Sequence, residues 1–163
     1  MRRAWKFSLL LSLLLSCAGC DQITKSAARR LLSTSDPISL LNGLIRFEYA
    51  ENPGGFLSIG ASLPAAVRFL VFVVFTASVL VMMPLLAFKE CDKHPTQLIG
   101  LALITGGGLG NLIDRTMNNG LVVDFASLGV GSLRTGIMNV ADVAVFAGAV
   151  LFLYGSIRNK RFS

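Results

Sequence analysis

The stretch from Pro64 to Phe88 reads PAAVRFLVFVVFTASVLVMMPLLAF, 25 residues with a single charged side chain, Arg68, near its start. A helix crosses the hydrocarbon core of a bilayer in about 20 residues, with a usual range near 17–25. This run therefore reads as a membrane span. Two more runs qualify: Pro95 to Ile113, 19 residues, and Ile137 to Ile157, 21 residues. A fourth, Ala4 to Gly19, has 16 residues and reaches span length by continuing past Cys20. The expected architecture is an all-α membrane protein, one domain over residues 1–163, with spans at about 4–23, 64–88, 95–113 and 137–157.

Composition agrees. Of 163 residues, 53% are hydrophobic and 15% charged, where soluble domains carry about 25% charged residues. That excludes an ordinary water-soluble enzyme and a disordered chain. The net charge is +6, but the basic residues flank apolar runs instead of forming one basic surface, which points to the membrane and away from nucleic acid. Cys17, Cys20 and Cys91 are too few and too irregular for a disulfide framework. His94 is the only histidine, so neither a zinc site nor a His-based triad is expected, and no metal is assigned.

The basic start, the apolar run and Cys17-Ala18-Gly19-Cys20 also imitate a lipoprotein leader. A lipoprotein anchored at Cys20 would continue into a soluble domain, and three further spans follow here instead. A small transporter using Asp114, Asp124 and Asp142 is the other rival, disfavoured because no charge falls at the midpoint of a span.

Arg2, Arg3 and Lys6 precede the first span, Lys89 and Lys93 lie between the second and third, and Arg158, Lys160 and Arg161 end the fourth. By the positive-inside rule these groups are cytoplasmic, with both termini inside. Asp21, Asp36, Glu48, Glu51, Asp114, Asp124 and Asp142 then gather at the outer boundary. Two non-helical regions are expected there. Ile45, Phe47 and Tyr49 alternate with Arg46 and Glu48 at strand period, and Asn52-Pro53-Gly54-Gly55 makes a turn. Leu121 to Gly136 reads as a short extended hairpin, and Lys25 to Leu32 as a segment along the interface.

Ionisable groups at membrane depth are functional candidates by default. Gly107, Asn111, Asp114 and Arg115 share one face of the third span. Asn139 and Asp142 share a face of the fourth, and Asp124 lies in the loop between. Two carboxylates converging in a poorly hydrated site share a proton, so that one serves as base and the other as acid on a bound water. Simpler readings stand beside this one: Asp114 and Arg115 as an ion pair closing a helix end, and Asn139 with Asp142 as interhelical glue. The glycines at 106, 107, 108 and 110 lack the Gly-Lys-Ser/Thr ending of a phosphate loop and read as a close helix-packing face.

Five motifs in order complete the picture: Asp21-Gln22-Ile23-Thr24-Lys25, Asn52-Pro53-Gly54-Gly55-Phe56, Gly107 through Arg115, Val123-Asp124-Phe125 and Asn139-Val140-Ala141-Asp142. Together they closely resemble the lipoprotein signal peptidase (signal peptidase II) family, over about Ala4 to Tyr154. The resemblance implies an aspartic endopeptidase of the bacterial cytoplasmic (inner) membrane, needing no cofactor. Such an enzyme cuts diacylglyceryl-modified prolipoproteins before the lipidated cysteine. It implies Asp124 and Asp142 as the catalytic pair. Asn52, Asn111, Arg115 and Asn139 would hold substrate and orient the acids. Asp21 and Lys25 would shape the outer pocket, with Gly54, Gly107, Asp114 and Ala141 as supporting positions. It further implies a small extracytoplasmic β-cradle, an active site near the outer leaflet, contact with membrane lipid, and inhibition by globomycin-like cyclic peptides.

Overall fold

The computed structural model describes residues 2–90 and 95–160, and side chains over 8–83 and 95–158. Helix α1 spans Arg2–Leu32. Strands β1 (Ile38–Leu40) and β2 (Ile45–Asn52) follow, then a 3-10 turn at Phe56–Ser58. Helix α2 (Ala65–Phe69) runs through a π-helical segment, Leu70–Phe75, into α3 (Thr76–Glu90). Helix α4 covers Pro95–Met117, β3 and β4 cover Val122–Val130 and Leu133–Arg134, and α5 covers Val140–Lys160.

Among the described residues, three helices are long and apolar enough to cross a membrane: Ala65–Met83, Pro95–Met117 and Val140–Arg158. The first of the four expected spans falls on the N-terminal part of α1. Three boundaries differ from expectation. The third span continues to Met117, four residues past Ile113, and the fourth helix begins at Val140 instead of Ile137. Lys25 to Leu32 is not a separate interfacial segment but the last turns of α1. Asp21, Lys25 and Ala28 are buried there along one helical stripe. Cys91, Asp92, Lys93 and His94, and the side chains of Arg2, Arg3, Lys6, Lys89, Glu90, Lys160 and Arg161, on which the orientation rests, lie outside the described residues.

Packing between helices relies on absent side chains. A Cβ on Gly100 would sit 2.6 Å from the Gly148 oxygen, and one on Gly107 would sit 2.5 Å from the Ala141 oxygen, so α4 and α5 touch backbone to backbone. A Cβ on Gly106 would meet Cys17 and Leu14 of α1. The glycine cluster is thus a packing device on two faces. The large apolar side chains mostly face outward, as Leu15, Phe75, Phe146 and Leu153 do, which suits lipid as the surrounding medium.

The four strands form one antiparallel sheet in the order β1-β2-β3-β4. The hairpin at 121–136 and the strand through Ile45, Phe47 and Tyr49 are legible in sequence, while β1 is not. Register matters for the site. Asn52 pairs with Val122, and Ala50 pairs with Asp124 after a bulge between Phe47 and Ala50. Directly paired residues share a face and so do residues two apart, which places Asn52 and Asp124 diagonally on one face of the sheet. Helix α4 ends through Asn119 (φ 54°) and Gly120 (φ 88°), a left-handed pair that turns the chain straight into β3.

Candidate active site

The N-terminus of α5 organises the site. Asn139 is its cap: its Oδ1 accepts the Asp142 N–H at 2.9 Å, and Asp142 Oδ2 accepts the Asn139 N–H at 3.3 Å. This is a capping box built from Asn and Asp. The Asn139 amide also donates outward, to Asp124 Oδ1 at 2.7 Å and to Asn111 Oδ1 at 3.1 Å. Met138, one residue before, bridges to Ala126 of β3, and that bridge holds Asp124 beside the cap.

Each carboxylate is held from two sides. Asn52 Nδ2 donates to Asp124 Oδ2 at 2.9 Å, opposite the bond from Asn139. Asn111 Nδ2 donates to Asp142 Oδ1 at 3.0 Å. Asp124 is 2% exposed and Asp142 9%. Burial raises the Asp124 carboxyl from its ordinary 3.8 to about 6, and the charge of Asp142 adds to the rise; donation from Asn52 and Asn139 and the charge of Lys25 oppose it.

A buried ionic hub supports this pair. Lys25 Nζ lies 2.7 Å from Asp21 Oδ2 and 3.2 Å from Asp114 Oδ2, and donates to Asn111 Oδ1 at 2.8 Å. All three ammonium protons therefore have acceptors. Asp21, fully buried, accepts the Ala141 N–H on its Oδ1 at 2.8 Å and so caps the second residue of α5. Asp114 Oδ2 accepts the Val123 N–H at 2.9 Å, fixing the strand one residue before Asp124. A Cβ on Gly110 would approach Asp21 Oδ2 to 2.5 Å, so glycine there admits the carboxylate.

The reading of Asp114 and Arg115 as an ion pair is corrected. Neighbours in a helix point apart: Asp114 turns to Lys25, while Arg115 Nη2 donates to the Gly54 oxygen at 2.7 Å and its guanidinium lies 5.3 Å from the Phe72 ring centre. Gly54 in turn donates its N–H to Asn52 Oδ1 at 2.8 Å. Glue is likewise too small a role for Asn139 and Asp142, since their bonds close a helix end and reach Asp124.

All twelve candidate residues thus meet in one network. Gly54 and Ala141 contribute through their backbone, and Gly107 by letting α4 approach Ala141. One member was missed in sequence. Gln22 Nε2 donates to Asp114 Oδ1 at 2.9 Å and to the Gly110 oxygen at 3.1 Å. Its signal was a lone amide beside Asp21 at the end of an apolar run. No group of three His, Cys, Asp or Glu side chains among the described residues is placed to hold a metal.

A cleft of roughly 450 Å³ opens between α3, α4 and α5. Its walls are apolar, with Phe75, Val79, Leu80, Ile104 and Phe146, and one end is polar, with Asn111, Arg115 and Asp142. Asp142 lines it; Asp124 stands one layer behind, on the sheet side. The arrangement joins two carboxylates through the Asn139 side chain at the polar end of an apolar groove.

Residues 13–158 match the family model for signal peptidase (SPase) II. The lipoprotein signal peptidase of Desulforapulum autotrophicum is 34% identical over 140 residues, covering 86% of each chain. That of Chlorobium phaeovibrioides is 34% identical over 165 residues, covering 94% of this chain and 91% of the relative. A solved bacterial membrane enzyme shares the fold at a TM-score of 0.82 and 22% identity, over 94% of this chain and 90% of that one.

Proposed function

Since the chain belongs to the signal peptidase II family, a group of membrane peptidases that remove signal peptides from prolipoproteins, we propose that Asp124 and Asp142 are its catalytic pair. The observation that carries this reading is the Asn139 side chain, which caps Asp142 and donates to Asp124 at the polar end of the cleft.

The chemistry follows from one proton shared by two carboxyls. The ionised carboxylate takes a proton from a water lying between them as the water oxygen attacks the scissile carbonyl carbon. The protonated partner gives its proton to the carbonyl oxygen, producing a neutral gem-diol. The carboxyl that took the water proton passes it to the amide nitrogen, the other carboxylate takes back a proton from a gem-diol hydroxyl, the C–N bond breaks, and a carboxylic acid and a free α-amino group result. One water is consumed. Asn111, Asn139 and Arg115 supply donors where negative charge gathers on the carbonyl oxygen.

The apolar cleft suits a lipid-modified substrate. A diacylglyceryl group on the cysteine after the cut would lie along Phe75, Val79 and Phe146, holding the scissile bond at the depth of Asp142. Globomycin-like cyclic peptides would occupy the same polar end. In this reading α1 is a fourth span, both termini are cytoplasmic, and the sheet lies as a cradle at the outer leaflet of the inner membrane. The deciding experiment incubates purified protein with one prolipoprotein in diacylglyceryl-modified and unmodified forms. Release of signal peptide from the modified form alone supports the reading; equal cleavage of both removes the lipid from it.

A further inference from the structure

Arg115 is shared between two clefts. One wall faces Asp142; the other faces a separate cleft of roughly 470 Å³ between α2, the π-helical segment and the C-terminal end of α4. Arg68, Arg115, Thr116 and Asn119 line its polar part, and Phe69 and Val73 its apolar part. Among the described residues, no acidic side chain lines it. The Arg115 side chain is 8% exposed, and its buried Nε has no acceptor among the described residues. An unpartnered buried guanidinium donor is costly. Here it stands beside a second guanidinium, Arg68, whose Nη1 donates to the Ala61 oxygen.

We propose that this second cleft binds the phosphodiester headgroup of an anionic membrane phospholipid. Three features point to that ligand. Two arginines line the cleft and no described carboxylate does, which favours an anion, and a guanidinium fork matches phosphate oxygens. The cleft sits at the ends of two membrane-crossing helices, Ala65–Met83 at its start and Pro95–Met117 at its end, which is headgroup depth in a bilayer. Phe69 and Val73 continue from the arginines down the same side of the second span, so an acyl chain has an apolar track below the phosphate. The lipid phosphate would accept from the Arg68 and Arg115 guanidiniums that line the cleft. Arg115 would then be held in place with its Nη2 still on Gly54.

The test counts bound lipid on the full-length protein in neutral detergent by native mass spectrometry, titrating phosphatidylglycerol. Arg68→Gln and Asn119→Asp are compared with wild type; neither residue belongs to the proposed catalytic network. Each is expected to weaken binding about tenfold, the first by losing a charge-assisted bond and the second by placing a carboxylate in the cleft. Arg68→Lys, which keeps the charge, is expected to recover part of the affinity. Zwitterionic phosphatidylcholine is expected to bind more weakly than phosphatidylglycerol. Unchanged binding in both variants overturns the proposal. So does displacement of the lipid by millimolar inorganic phosphate, which would make the cleft a site for free phosphate. The readout is independent of peptide cleavage, so it stands apart from the assignment of the catalytic pair.

Discussion

Asn139 and Asp142 close the first turn of α5 on each other, side chain to backbone in both directions, at 2.9 and 3.3 Å. One residue pair is therefore both a helix cap and part of the proposed catalytic network, because the Asn139 amide that remains free after capping is the donor to Asp124. Stability and chemistry are tied at this point, and variants can separate them.

Asp124→Asn and Asp142→Asn remove the shared proton's two homes while leaving side-chain shape nearly unchanged. Each is expected to lower cleavage by roughly a thousandfold or more, with unchanged elution and helical circular dichroism in detergent. Near-normal turnover in either variant would falsify the assignment of the pair.

Asn139→Ala removes the cap and the donor together. It is expected to cost about 1–2 kcal/mol of stability and most of the activity. Asn139→Asp keeps an oxygen for the Asp142 N–H but sets a carboxylate against Asp124. Thermal melts should show both variants less stable than wild type, the aspartate variant more so at high pH, where the two carboxylates repel, than at low pH, and cleavage assays should show loss of activity in both.

The Asp124 carboxyl, raised from 3.8 to about 6 by burial, gives a pH signature. Between those values the folded protein holds a proton that the unfolded chain has released, so stability falls as pH rises through that window and levels off above it. Asp124→Asn should flatten this part of a stability-versus-pH curve. Activity needs one proton on the pair, so kcat/KM should be bell-shaped in pH. A rate that climbs steadily from pH 4 to pH 9 would contradict a shared proton.

Lys25→Met leaves Asp21 and Asp114 buried without their common cation. Breaking a buried pair from one side costs about 3–5 kcal/mol. A large drop in melting temperature is expected, together with loss of the bond that aims Asn111 at Asp142. A melt within a degree or two of wild type would mean that the hub carries little stability.

The leader-like Cys17-Ala18-Gly19-Cys20 is expected to stay uncut. Asp21 follows it directly and Lys25 one helical turn later, and Asp21 caps α5 through Ala141, so cleavage before Cys20 would detach the helix that carries the hub from its first turns. Intact mass spectrometry of protein purified from membranes checks this, and a species beginning at Cys20 contradicts it.

The apolar runs were legible because lipid imposes one simple rule, about twenty uncharged residues per crossing, and three of them stand as helices of that kind. The strand at Ile45–Asn52 showed through its alternation, and the packing role of the Gly106 to Gly110 cluster through its spacing. The partner of Arg115 was not legible. Adjacency to Asp114 suggested a pair, but a helix turns neighbours about a hundred degrees apart, and the acceptor is a backbone oxygen 61 positions earlier. Gln22 was overlooked because an amide in a helix says nothing until its acceptor, here Asp114, is placed beside it.

By itself the sequence determined which segments suit lipid and which few polar residues interrupt them, since both depend on residue type and spacing along one chain. Only the tertiary structure decided who meets whom. The bonds from Asp21 to Ala141, from Asn52 to Asp124 and from Lys25 to Asn111 join residues 120, 72 and 86 positions apart. Such pairings depend on strand register and on how closely glycines let helices approach, and in a low-dielectric interior each buried charge is stable only where its partner stands.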